Sequence, residues 1–249
     1  GEVDVIIVAT CTPDVSFPSV ATLVQARLGV KKPLVALDVN AACSGFIYAL
    51  SVARGLLKKG QKALVIGADT FSNLLDWSDR GTCVLFGDGA GAVVLEAVAG
   101  GGQVRRGVLA VELGADGHYC GDLIATGGVA TTRTAGVVKM NGREVFKHAV
   151  RQMGELPAVL AEAGLGLGDV DWLVPHQANV RILESAADQL GLPHDKVIMT
   201  VGRHANTSAA SIPLALHAAV ADGRIRDGQV VLLQAFGAGF TWGSALIRW

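Results

Sequence analysis

The chain has 249 residues, 51% hydrophobic and only 17% charged, where roughly 25% charged is ordinary, so its core is large for its length. With 32 glycines, 7 prolines and 5% aromatics, the composition excludes a coiled coil, a collagen and a disordered tail. Lys plus Arg number 21 and Asp plus Glu 22, a net charge of -1 that provides no overall field for nucleic acid or an anionic membrane.

No apolar run approaches the roughly 20 residues of a membrane span, and the opening GEVDVIIVAT has no basic start like that of a signal peptide. The protein therefore reads as soluble and cytoplasmic. Cys11, Cys43, Cys83 and Cys120 are dispersed with no C-x-x-C, so neither a zinc site nor a disulfide framework is expected.

Taken in chain order, residues 3–9 form an apolar run that predicts a strand, and a helix follows, entered through Pro18 and closed by Gly29. Residues 34–39 predict a second buried strand, 43–59 a helix stopped at Gly60, and 63–68 a third strand. This alternation predicts an α/β protein with parallel strands and crossover helices.

The second half repeats the order. Val170-Asp171 followed by WLVPHQ parallels Val3-Asp4 followed by VIIVAT, and Gly228-Gln229 with VVLLQA parallels Gly60-Gln61 with KALVIGA, at offsets of 167 and 168. Two matched pairs argue for an internal duplication, with chance likeness between strands as the competing explanation. The second copy has a strand near 137–140 and a helix from Arg143 before its Val170-Asp171 strand. The first copy starts at that strand, so its N-terminal part is expected to be absent.

Phosphate-binding motifs fail on inspection. Residues 55–60 have the glycine spacing of a P-loop but Gln61 stands where lysine is needed. The run Gly87-Asp88-Gly89-Ala90-Gly91 lacks the dinucleotide register and leads into AVVLEA, which predicts a tight turn between packed elements.

Cys43 has a chemical case, because it follows a strand and opens a helix among Ala41, Ala42 and Gly45. A helix N-terminus favours thiolate, and small neighbours permit the sharp elbow that exposes a nucleophile. Read alone, it serves equally as a buried small hydrophobe. His176 follows DWLV at the carboxyl end of a predicted strand, where ligands collect, although a structural histidine fits too. Asn206 precedes the helix 209–221, as a helix cap or as a functional amide. Gly237-Ala238-Gly239 is either a plain hairpin turn or a backbone amide presented to an oxyanion.

Several long motifs, AACSGFIYALS, DRGTCVLFGDGAGAVVLE, NGREVFKHAV, DWLVPHQANVRI, RHANTSAASIPLAL and QAFGAGFTWGSALIRW, together resemble the β-ketoacyl-acyl carrier protein synthase III family over nearly the whole chain. The resemblance implies a thiolase-like fold of two duplicated halves in five αβαβα layers, 1–103 (incomplete at its start) and 104–249, and a homodimer. It implies Cys43 as acyl-accepting nucleophile, His176 and Asn206 as catalytic partners, and backbone amides of Cys43 and Ala238 as oxyanion hole. Family members often have glycine where Ala238 stands. Arg80, Gly142, Phe146 and Asn179 are implied in CoA and pantetheine binding, and Lys147, Gln177, Asn179 and Arg181 in carrier-protein binding. Phe17, Phe71, Phe86 and Phe236 are implied in the acyl pocket, with Phe17 reaching the neighbouring subunit.

The implied reaction transfers a starter acyl group from acyl-CoA to Cys43 and then condenses it with malonyl-acyl carrier protein, with no cofactor and no metal. A second cysteine would mark a thiolase, and a second histidine in place of Asn206 an elongating synthase. Starter enzymes of polyketide or quinolone pathways remain an alternative within the fold. From other classes, a thioester hydrolase and a catalytically silent carrier-protein-binding subunit remain open.

Overall fold

The computed structural model describes residues 2–98 and 106–249. The expected boundary between halves, at 103/104, lies outside the described residues. The first half runs β1 (Val5–Ala9), α1 (Val20–Arg27), β2 (Val35–Val39), α2 (Gly45–Leu56), β3 (Lys62–Thr70) and β4 (Asp88–Glu96). Next come β5 (Gly107–Ala115), the short ribbon β6 (Leu123–Ala125) and β7 (Val138–Met140), and helices α3 (Gly142–Gly154) and α4 (Ala158–Glu162). The chain ends with β8 (Trp172–Pro175), α5 (Val180–Leu190), α6 (Val201–His204), α7 (Ser211–Ala221), β9 (Val230–Gly237) and β10 (Thr241–Arg248).

β1 is VIIVA with every residue buried, the unbroken apolar run of a strand covered on both faces. It pairs in parallel with β2 and β3, and β4 closes the sheet antiparallel to β3. The second sheet has the order β5-β10-β9-β8. Beyond β8, Leu173 makes a parallel bridge to Val197, at the place β2 holds beside β1.

The duplication is thus visible in both order and spacing. Trp172 and Val230 open β8 and β9 at offsets of 167 and 168 from Val5 and Lys62. A 3₁₀ turn, Ala42–Ser44, leads into α2, and its counterpart Ser208–Ala210 leads into α7, both at an offset of 166.

Five layers result. α2 and α7 lie between the two sheets, where Phe46, Ile47 and Leu50 share a core with Ile212, Leu216, Val65 and Leu233. α1 covers the outer face of the first sheet against Ile6 and Val8. Helices α3, α4 and α5 cover the outer face of the second sheet through Leu232, Leu246, Met153 and Ile182. At roughly 25 cal/mol per Å² of apolar surface removed from water, burying these helices on both sides contributes to stability.

The glycines explain how closely these layers meet. A side chain at Gly67 in β3 would overlap the Ala209 carbonyl oxygen, and one at Gly91 in β4 would come within 2.9 Å of Pro213 Cβ in α7. The run Gly87 to Gly91 is therefore mostly strand, correcting the expected tight turn: its glycines remove bulk where α7 crosses β4.

Gly67→Ala is expected to lower the free energy of unfolding by about 2–4 kcal/mol, read as a lower urea midpoint, because backbone rather than a mobile side chain stands in the way. Gly55→Ala, inside α2 with open space around it, is expected to raise it by about 0.5–1 kcal/mol.

Candidate active site

β2 ends at Val39, and the chain turns sharply through Asn40, whose Oδ1 accepts from the Ala42 N–H at 3.3 Å. Ala42 takes a left-handed φ of 44°, which costs a non-glycine residue of order 1 kcal/mol and marks a constrained elbow. Cys43 sits in the 3₁₀ turn that follows and is 4% exposed. The end of β9 rests on it: a Cβ at Gly237 would lie 2.8 Å from Cys43 N and 3.0 Å from Cys43 Cβ. Ser44 Oγ donates to the Ala41 carbonyl at 2.8 Å and shares a 2.6 Å hydrogen bond with Thr241 Oγ1, which ties the elbow to β10.

His176 leaves the end of β8, held by its N–H donating to the Gln234 carbonyl at 2.7 Å. Burial pushes its pKa down to about 4, with the Ser208 backbone opposing the shift, so the imidazole is neutral at ordinary pH. Its Nδ1 has no hydrogen-bond partner among the described residues. Asn206 bridges to Phe86, and its Oδ1 accepts from the Ser208 N–H at 2.9 Å. An amide whose oxygen is committed to a backbone donor presents its NH₂ to whatever enters.

Cys43, His176 and Asn206 line one cavity of about 230 Å³, whose remaining wall includes Phe86, Phe146, Met153, Asn179, Ile182 and Phe236. A second, larger groove of about 1370 Å³ meets Cys43 from the other side, past Cys11, Phe71, Leu74, Val138 and Ala238. Cys43, Phe86 and Leu123 line both. The Phe71 and Phe86 rings stack at 4.7 Å between centroids and form part of the wall beside the thiol.

Burial pushes the Cys43 thiol up to about 12, the Asp69 carboxylate adds to that rise, and the Ser208 side chain and Cys43's own backbone oppose it. Full desolvation outweighs the field of the helix start, so the unacylated sulfur holds its proton.

Gly142, Phe146 and Asn179 share the cavity with the three central residues, Asn179 also capping α5 through Ile182 N–H at 3.0 Å. Arg80 is exposed and lines neither cavity. Lys147 is exposed beside Glu144 at 3.5 Å, and Arg181 is exposed in the first turn of α5. Gln177 is a correction: it is 0% exposed, its Nε2 donates to the Pro175 and Ile198 carbonyls, and its Oε1 accepts from Thr200 and Val201 N–H. An amide spent on four backbone groups holds the His176 loop to α6 and has nothing left for a carrier protein. Phe17 is 85% exposed and lines neither cavity of its own chain, Phe236 lines the first, and Phe71 the second.

Two residues escaped the sequence reading. Buried Asp69, at the end of β3, accepts at Oδ1 from Thr10 Oγ1, Cys11 N–H, Cys11 Sγ–H and Thr12 Oγ1 and at Oδ2 from Ala209 N–H. Ser208 is the other. Among the described residues no cluster of His, Cys, Asp and Glu could hold a metal ion, and no helix is long and apolar enough to cross a membrane.

Two duplicated α/β halves in five layers, with a cysteine elbow at their seam facing a histidine and an asparagine, define a thiolase-fold condensing enzyme. Family models for 3-oxoacyl-[acyl-carrier-protein] synthase III match residues 37–117, and for its C-terminal part residues 160–249. The chain is 59% identical over 250 residues to the β-ketoacyl-[acyl-carrier-protein] synthase III of Paramagnetospirillum magneticum, covering 99% of this chain and 77% of that protein. The crystal structure of the Thermus thermophilus synthase III matches with a TM-score of 0.90 at 47% identity, over 100% of this chain and 78% of that one. The priming β-ketosynthase of the R1128 polyketide pathway matches with a TM-score of 0.89 at 33% identity, over 99% and 75%. The chain belongs to the β-ketoacyl-[acyl-carrier-protein] synthase III family and is an acyltransferase.

Between pH 6.5, the ordinary value for histidine, and about 4, the unfolded chain binds a proton at His176 that the folded chain refuses. Stability from this group is therefore complete above pH 6.5 and lost as pH falls through 4, by about 3 kcal/mol. Urea unfolding of the parent and of His176→Gln from pH 7.5 to 4 is expected to show this extra slope in the parent only.

Proposed function

We propose that the chain carries out the initiating condensation of fatty acid synthesis, with Cys43, His176 and Asn206 as its catalytic residues. The observation that carries this reading is their convergence on one buried cavity, with a neutral imidazole and an amide whose NH₂ is free. In the first half-reaction Cys43 gives up its proton as Sγ attacks the carbonyl of an acyl-CoA, and His176 keeps its N–H at Nε2 throughout. The Sγ–C bond forms, the C–S bond to CoA breaks, and the departing CoA sulfur takes the proton. The backbone N–H groups of Cys43 and Ala238 face the tetrahedral oxyanion; Gly237, pressed against Cys43, supports that placement.

The malonyl group of malonyl-acyl carrier protein then enters the smaller cavity past Gly142, Phe146, Asn179 and Phe236, while the acyl chain occupies the larger groove beside Phe71 and Phe86. Carbon dioxide leaves, and its bonding electrons pass into an enolate whose oxygen accepts from His176 Nε2–H and the Asn206 NH₂. The carbanion attacks acyl-Cys43, Sγ departs, and it regains a proton from solvent. Thioester chemistry and decarboxylation drive the sequence, and no cofactor is called for.

The identity of 59% to the synthase III of P. magneticum against 33% to the polyketide priming enzyme favours fatty acid initiation over a polyketide or quinolone starter role. The same reading makes the protein a cytoplasmic homodimer of halves 1–103 and 104–249, with Phe17 reaching the partner's acyl groove. Lys147 and Arg181 are its carrier-protein contacts and Arg80 its contact to the CoA nucleotide. Each of these three is exposed, as such contacts require.

Intact mass after incubation with a panel of acyl-CoAs is expected to rise by one acyl group, and not at all in Cys43→Ala. Asn206→Ala is expected to keep the adduct while malonyl-carrier protein decarboxylation falls about 10²-fold or more. Free acid without malonyl substrate would indicate a hydrolase, and absence of any adduct a silent subunit.

A further inference from the structure

We propose that Ser208 is a fourth catalytic residue, whose hydroxyl donates a hydrogen bond to the Cys43 sulfur as it becomes a thiolate. This rests on the reading of Cys43 as nucleophile.

Ser208 is 1% exposed, and its Oγ has no hydrogen-bond partner among the described residues. A buried hydroxyl left without an acceptor is costly and uncommon, and demands an explanation. The hydroxyl is not there by accident of a relaxed backbone, for Ser208 holds a left-handed φ of 51°. Three contacts fix that conformation: Ser208 N–H on Asn206 Oδ1 at 2.9 Å, Ala209 N–H on Asp69 Oδ2 at 3.2 Å, and Ala210 N–H on the Thr207 carbonyl at 3.0 Å.

The turn Ser208–Ala210 packs directly on Ala42–Ser44, which carries Cys43. By the internal duplication Ser208 matches Ala42, so one copy has a methyl where the other has a hydroxyl. Asp69 and Ser208 act on the Cys43 thiol, Cys11 interacts with it, and His176 lines the same cavity. Asp69 opposes thiolate formation, and Cys11 spends its thiol proton on Asp69 Oδ1 at 3.3 Å. Among the described side chains Ser208 alone holds the Cys43 thiol down against burial, and it does the same for Cys11, without a formed hydrogen bond to either resting sulfur. A donor without a partner in the resting thiol state, gaining one when the sulfur turns anionic, contributes where charge develops and not before. Ser208 keeps its own proton throughout; the thiol proton goes to the departing CoA sulfur.

The test compares the parent, Ser208→Ala and Ser208→Gly, the glycine variant relieving the left-handed backbone while also lacking the hydroxyl. Peptide-resolved mass spectrometry follows iodoacetamide alkylation of Cys43 from pH 7 to 9, and a second assay follows decarboxylation of malonyl-carrier protein. Both variants are expected to alkylate about tenfold more slowly, their rate–pH lines displaced by about one unit toward higher pH, as loss of a hydrogen bond to a charged group implies. Decarboxylation, which uses His176 and Asn206, is expected to fall by clearly less than alkylation does. Unchanged alkylation would overturn the proposal. So would an equal fall in both assays with a lower thermal midpoint, which assigns Ser208 a structural role. Acyl adduct persisting in Cys43→Ala would instead overturn the underlying nucleophile reading.

Discussion

The active site depends on how tightly the two copies of one α/β unit press their turns together. Ala42–Ser44 and Ser208–Ala210 meet where the two sheets approach through α2 and α7, and Gly67 and Gly237 remove the side chains that would hold them apart. That closeness excludes water from the Cys43 sulfur and the His176 ring. The same exclusion raises the thiol and lowers the imidazole, so both rest uncharged. A dry site makes every fixed dipole in it stronger, which is what an oxyanion and an enolate require.

Asp69 ties the two halves together at this seam. Its oxygens take donors from Thr10, Cys11 and Thr12 at the end of β1, and from Ala209 in the other half. A buried carboxylate satisfied by five donors is rigid and specifies one arrangement of the loops it joins. Its charge works against the thiolate, and the geometry it imposes on the Ser208 turn works for it.

Much of this was legible in the residues. Apolar runs and their glycine and proline boundaries located β1, β2, β3 and α2 to within a few residues, and the offsets of 167 and 168 reappear as matched strands. Cys43, His176 and Asn206 stood out because each ends or opens an element, but their roles came only from the resemblance to the synthase III family. What could not be read is contact between distant segments. Gln177 carries the polar side chain of a surface contact, and only the packing of α6 against the His176 loop reveals that all its valences are taken. The glycines at 89 and 91 look like a turn until α7 crosses them. Ser208 could have been suspected from its place opposite Ala42 in the duplication, yet its missing partner is visible only in three dimensions.

Single-turnover transfer tests the central claim most directly. Acyl-Cys43 is formed with isotopically labelled acyl-CoA, freed of CoA, and mixed with malonyl-carrier protein. The account requires one equivalent of label to move from Cys43 to the carrier protein as a β-ketoacyl thioester, with one equivalent of carbon dioxide. Label released as free acid, or label that stays on Cys43 while carbon dioxide is evolved, would contradict it.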